Sequence, residues 1–192
     1  QTIELIASVS ELRDPYTAGH QKRVAGLAKF MAMKMGLSPE RVDAVEMASL
    51  IHDVGKIKVP AEILSKPGPL DEVERLLVET HPQAGYNLLK DIDFPWPVAE
   101  IVLQHHERLD GGGYPQGLKG KEILQEARII AVADVVEAMA SGRPYRKALG
   151  IEAALKEIKS GRGTLYDEEA VDACLALFEE GLAIPLFEKV IF

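Results

Sequence analysis

Residues 38–55 read SPERVDAVEMASLIHDVG. Ser38 ahead of Pro39 is a helix start, with a capping side chain followed by proline at the first helical position, where a missing N–H costs no intrahelical bond. Val42, Val45, Ala48, Leu50 and Ile51 then recur at helical spacing, and Gly55 closes the segment. The stretch predicts an apolar helix that ends on His52-Asp53.

The same punctuation extends in both directions. Asp14-Pro15 opens a segment whose Val24, Leu27, Ala28, Met31 and Met35 form one stripe before Gly36. Downstream, a proline- and glycine-rich loop from Pro60 to Pro69 precedes a helix carrying Val73, Leu76 and Leu77. Pro82 starts a helix ending near Asp91, and Pro97 one running through Ile101, Val102 and His105. Asp110-Gly111-Gly112-Gly113-Tyr114-Pro115 is a loop, because three glycines and a proline disfavour regular structure. Helices follow over Ala127 to Ala140, Ile151 to Ser160, and Asp167 to Glu180 before Gly181. Without any run of alternating strands or internal repeat, the pattern is that of one all-α domain over residues 1–192. Ile3, Ile6, Ala7 and Ser10 share a helical face, so residues 1–13 are expected to be a connector helix from an upstream regulatory region, the chain starting at Gln1 rather than Met.

The 192 residues carry 22 basic and 30 acidic side chains, a net charge of −8, and 47% are apolar. That suffices for a substantial core and excludes a disordered chain. No apolar run approaches the roughly 20 residues needed to cross a bilayer. The acidic balance argues against a protein of polymeric nucleic acid, which needs a basic face, but leaves small anionic substrates open. The single cysteine, Cys174, excludes an intramolecular disulfide and a Cys-rich zinc site, and fits a reducing, cytoplasmic setting.

Chemistry concentrates in the five histidines and two carboxylates. An unpaired ion beside Leu50, Ile51 and Val54 is costly, so His52-Asp53 needs partners; a metal would supply them, and so would local helix-end hydrogen bonds. His20 taken alone reads as a structural helical histidine, and His81 ahead of Pro82 as a cap. Adjacent His105 and His106 are best tolerated when a cation holds them neutral. Asp134, the one charged residue between Arg128 and Glu137, demands a cation if buried.

These residues lie in a recognisable order. Asp14-Pro15-Tyr16-Thr17-Ala18-Gly19-His20 with Arg23-Val24, then His52-Asp53-Val54-Gly55-Lys56, His81, His105-His106-Glu107, Asp110 to Pro115, and Ala133-Asp134 followed by Arg143-Pro144-Tyr145-Arg146 closely resemble the HD-GYP family of HD metal-dependent phosphohydrolases, over roughly residues 5 to 180. The resemblance implies a single helical-bundle domain with a two- or three-metal centre, usually iron or manganese, that hydrolyses the bacterial second messenger cyclic di-GMP to linear pGpG and on to GMP. It implies metal ligation by His20, His52, Asp53, His81, His105, His106 and Asp134, with Asp53 bridging and a bridging hydroxide attacking phosphorus. Lys56 matches the lysine that meets the scissile phosphate, and Tyr114, Arg143 and Arg146 fall at substrate-contacting positions. The family's three-metal members have a glutamate where this chain has Tyr16, a poor ligand at neutral pH, so two divalent ions are expected.

Bound imidazole and carboxylate suit iron and manganese, and also zinc or nickel. Lys56 by itself reads equally as a helix C-terminal lysine, and Arg146 as part of a solvated basic cluster with Lys147. Three alternatives to cyclic di-GMP hydrolysis stay open at this level: action on another cyclic dinucleotide, action on a nucleotide, and a weakly active adaptor that binds cyclic di-GMP and diguanylate cyclase (GGDEF) domains. The family also links the glycine loop to such cyclase domains, and the apolar stripe of the first helix suggests a homodimer.

Overall fold

The computed structural model describes residues 19–141 and 148–191, the last four through the backbone alone. Ten α-helices are seen among the described residues: α1 His20–Lys34, α2 Pro39–Ile51, α3 Ala61–Leu64, α4 Glu72–Val78, α5 His81–Leu89, α6 Val98–Gln104, α7 Gln125–Ala140, α8 Ile151–Ser160, α9 Glu168–Glu179 and α10 Ile184–Ile191. A 3-10 turn at Val54–Lys58 follows α2, and a shorter one at Gly120–Glu122 precedes α7. The only strand-like pairing among these residues is an isolated bridge between Arg162 and Tyr166.

Helix α7 is the axis of the bundle. Ile129, Ile130, Val132, Ala133 and Val136 are all fully buried, which follows from a helix that is apolar around most of its circumference. Helices α1, α2, α6, α8, α9 and α10 pack against it, with α1 and α2 joined as a hairpin through Gly36. In α9, Ala170, Val171, Ala173, Cys174 and Leu177 turn inward, and Asp167 caps the helix by accepting from the Ala170 N–H at 3.1 Å. No helix among the described residues is long and apolar enough to cross a membrane.

The structure departs from the sequence expectations in the stretch between Pro60 and His81. The expected loop contains α3, and α4 has no buried residue: Val73, Leu76 and Leu77 are all exposed. Local interactions hold α4 instead. Asp71 and Glu74 form a reciprocal capping box, each accepting the other's backbone N–H at 2.8 Å, and Lys66 and Arg75 pair with Glu74 and Glu79. Helix α10, which buries Phe187 against α1 and α7, was not expected, although Pro185 in its first turn is a start signal.

One glycine sets the position of the functional region. A Cβ on Gly55 would lie 1.9 Å from the His81 carbonyl oxygen and 2.5 Å from the Gly85 nitrogen, so the 3-10 turn touches α5 backbone to backbone. Gly55→Ala must push the turn and α5 apart, and we expect it to lower stability by about 3 kcal/mol, roughly 6–12 °C in Tm for a domain of this size. Gly36→Ala, in open space at φ +73°, should cost about 1 kcal/mol. Thermal unfolding of the two variants compares them directly.

Candidate metal centre

Five helix ends and the middle of α7 converge on one buried volume. His20 begins α1, His52 caps the C-terminus of α2 with Asp53 next to it, His81 begins α5 just beyond α4, and His105 caps α6 ahead of His106. Three of these histidines do the same local job. The Nδ1 of His52 lies 2.7 Å from the Ser49 carbonyl, that of His81 2.7 Å from Val78, and that of His105 2.6 Å from Val102. A carbonyl only accepts, so each Nδ1 donates, satisfying a carbonyl left over at a helix terminus. Each ring is thereby locked with Nε2 facing inward. His20 is locked by a carboxylate, its Nδ1 bonding the Glu137 Oε2 one turn along α7 from Asp134.

The inward atoms form two groups that meet at Asp53. Oδ1 of Asp53 lies 3.3 Å from His81 Nε2, while Oδ2 lies 3.5 Å from His52 Nε2 and 3.8 Å from His20 Nε2. Asp134 Oδ1 is 3.3 Å from His20 Nε2 and 3.9 Å from His52 Nε2. On the other side, His81 and His105 face each other with their Nε2 atoms 3.3 Å apart, and His106 completes a second set of three imidazoles. The sequence-predicted residues His20, His52, Asp53, His81, His105, His106 and Asp134 are thus brought together.

This arrangement suits cations. Nε2 of His20 and Nε2 of His52 are buried and make no hydrogen bond. His81 and His105 both donate through Nδ1, so their facing Nε2 lone pairs repel unless a proton or a metal lies between them. Donors bound at about 2.0–2.2 Å to one ion are spaced roughly 3–4 Å from one another, which is the spacing seen. The nitrogen and carboxylate donor set fits first-row divalent metals.

Charge states agree. Burial, reinforced by the neighbouring imidazoles, drives His105 and His106 well below the ordinary histidine range, and burial also lowers His52, leaving neutral ligands. For Asp53, burial works against ionisation but Lys56, His52 and His81 overcome it and hold the carboxyl well below its usual range. Asp134 is held low in the same way, mainly by His20. Burial opposes charge on His20 too, yet Asp134 and Glu137 push it up to about 9, so a metal bound at this end would have to displace a proton.

Lys56 is buried in the 3-10 turn, its Nζ 2.6 Å from Asp53 Oδ2, rather than at a helix C-terminus on the surface. The Tyr114 ring stacks on His106, centroids 4.8 Å apart and planes at 29°. Tyr16, Arg143 and Arg146 lie outside the described residues.

Sequence reasoning passed over Glu137. It is fully buried between α1 and α7, accepts from Arg23 Nε at 2.8 Å and Ser141 Oγ at 2.6 Å besides His20, and burial's opposition to its charge is outweighed chiefly by His20, bringing it down to about 2. Its position three residues after Asp134, on the same helix face, was the available signal. Removing the charge but not the shape with Glu137→Gln should weaken metal binding about 10–100-fold while helicity is retained, as read by competition with a chromogenic chelator.

Comparison with known proteins agrees with this geometry. A profile of the HD domain family matches residues 4–170. The cyclic di-GMP phosphodiesterase response regulator RpfG of Xanthomonas campestris pv. campestris is 45% identical over 177 residues, 91% of this chain and 47% of the relative. A Thermotoga maritima protein named cyclic di-GMP phosphodiesterase is 42% identical over 182 residues, 94% of this chain and 50% of that one. The chain therefore spans about half the length of these curated relatives. The crystal structure of a cyclic GMP-AMP specific phosphodiesterase of Vibrio cholerae superposes with a TM-score of 0.71 at 20% identity, over 95% of this chain and 50% of that one, which speaks for the fold. The chain belongs to the HD domain family and carries, in order, the motifs of its HD-GYP branch.

Proposed function

We propose that this chain is a metal-dependent phosphodiesterase that hydrolyses cyclic di-GMP to linear pGpG and then GMP. The observation that carries the reading is the Asp53 carboxylate, one oxygen turned to His81 and the other to His52 and His20, with the Lys56 ammonium 2.6 Å away. The names of the two relatives, at 45% and 42% identity, support the substrate.

His20, His52 and Asp134 would hold one divalent ion, His81, His105 and His106 the other, and Asp53 both. When bound, such ions supply Lewis acidity to the phosphodiester and a coordinated water with a pKa near about 7. Iron or manganese fits this donor set best, and two ions follow from Tyr16 standing where a third site needs a carboxylate.

The chain's own groups do the rest. Lys56, buried beside Asp53, keeps its ammonium within reach of a phosphate held by the ions that Asp53 would bind, where it would donate to a non-bridging oxygen or to the leaving oxygen. The Tyr114 ring, stacked on His106 next to the second group of imidazoles, would meet a substrate base or phosphate there, and Arg143 and Arg146 would supply guanidinium forks for the remaining phosphate. The exposed tip of the glycine loop at Gly112 and Pro115 leaves an edge for diguanylate cyclase domains.

Vibrio cholerae relatives named 3'3'-cGAMP-specific phosphodiesterases, 38% and 36% identical, make cyclic GMP-AMP the competing substrate. Side-by-side chromatography of products from cyclic di-GMP, cyclic GMP-AMP and cyclic di-AMP, with elemental analysis of the same sample, tests the proposal; preferential loss of cyclic di-GMP with two ions per chain is expected. Asp53→Asn should abolish turnover and lower bound metal, whereas Lys56→Ala should lower kcat about 10²–10³-fold with metal retained. Full turnover by Asp53→Asn in a metal-quantified sample sinks the assignment.

A further inference from the structure

Glu107 follows the metal-facing pair His105-His106, yet it faces neither. Its side chain is 2% exposed, and its two carboxylate oxygens accept from the far side of the glycine loop: Oε1 from the Gln116 N–H at 2.7 Å and Oε2 from the Leu118 N–H at 3.0 Å. A buried carboxylate is costly unless both oxygens find donors, and here both partners are backbone groups of one loop. A carboxylate accepts at both oxygens, whereas a glutamine would turn an NH2 toward one of these N–H groups.

The loop so held is folded back on its own origin. Tyr114 N–H bonds the His106 carbonyl at 3.3 Å, and a Cβ on Gly113 would sit 2.4–2.5 Å from the Arg108 nitrogen, the Glu107 Cα and the His106 carbonyl oxygen. Gly120 N–H bonds the Leu109 carbonyl at 3.0 Å, closing the base. Between these ties the Tyr114 ring lies on the His106 imidazole. The ring therefore has its height over the second group of imidazoles set by the loop, and the loop by Glu107.

We propose that Glu107 is a positioning residue that holds Tyr114 against His106, so that the metal centre and the substrate-facing tyrosine form one preorganised unit. The proposal rests on the reading of Tyr114 as a substrate contact. Contacts made equally in ground and transition states act on KM, so the expected signature is a KM effect transmitted through residue 114.

The experiment is a double-mutant cycle on the metal-loaded chain with cyclic di-GMP, using Glu107→Gln, Tyr114→Ala and their combination, with metal content and Tm measured for each. Glu107→Gln should raise KM about tenfold with kcat and bound metal little changed, and should add less than about twofold in the Tyr114→Ala background. Hydrogen exchange over residues 116–118, slow in the parent chain, should quicken about tenfold or more in Glu107→Gln. An unchanged KM in either single variant, KM effects that multiply in the combination, or activity lost in proportion to metal overturns the proposal. If Glu107→Gln does not fold, Glu107→Asp keeps the charge, shortens its reach and carries the same cycle. Absence of cyclic di-GMP turnover in the parent chain is failure of the functional reading; the clamp is then decided by exchange alone, and unaltered protection at 116–118 in the variant overturns it.

Discussion

Four imidazoles whose Nδ1 atoms are already committed leave their Nε2 atoms pointed into a single buried volume. That commitment is the constraint on which the rest of the structure depends. Helix C-termini carry carbonyls without intrahelical partners, and α2, α4 and α6 all end where a histidine returns its Nδ1–H to the carbonyl three residues back. The same bond that finishes each helix aims a candidate ligand. Ending three helices at one place is thus equivalent to building a donor set, and His20, locked by Glu137 rather than by a carbonyl, is added from the start of a fourth.

Such a convergence needs backbones closer than side chains allow, which explains where the glycines fall. Gly55 lets the turn carrying Asp53 and Lys56 press on α5 at His81, and a Cβ on Gly85 would lie 2.9 Å from the Val102 side chain on α6, three residues before His105. These contacts fix the distance between the carboxylate and the imidazoles on two different helices. Stability and ligand geometry are therefore set by the same atoms, and a substitution that merely loosens packing there also moves a donor.

Much of this was legible in the sequence because it is written in local signals. Pro39, Pro82 and Pro97 announce helix starts, and Gly36 and Gly181 ends; α8 lies between Gly150 and Gly161 at the expected Ile151 to Ser160. All five histidines could be singled out because so few exist and none is isolated from a helix boundary. What stayed hidden depends on tertiary context. Glu137 looks like one more acidic residue on a helix until α1 is laid against α7 and His20 and Arg23 reach it. Val73, Leu76 and Leu77 suggest a buried face, whereas a capping box and two ion pairs, features of charge rather than hydropathy, hold α4 in solvent. Helix α10 has Pro185 in its first turn, a start signal that sequence reasoning passed over, and is placed by Phe187 and Leu186 finding the bundle.

For an acidic chain the proposed anionic dinucleotide substrate poses an electrostatic problem that distance resolves. Surface charges are screened over about 8 Å at physiological ionic strength, so the net −8 matters less at the centre than the groups within a few ångströms. There the carboxylates of Asp53, Asp134 and Glu137 are balanced by Lys56, Arg23 and a His20 held in its protonated form by two of those carboxylates. Without metal the centre is close to neutral, and a phosphodiester meets no net attraction. Divalent ions held there would turn the same cluster positive, with Lys56 already in place beside the Asp53 carboxylate. On the proposed function, the buried acids therefore favour an order in which metal binds before the substrate is attracted.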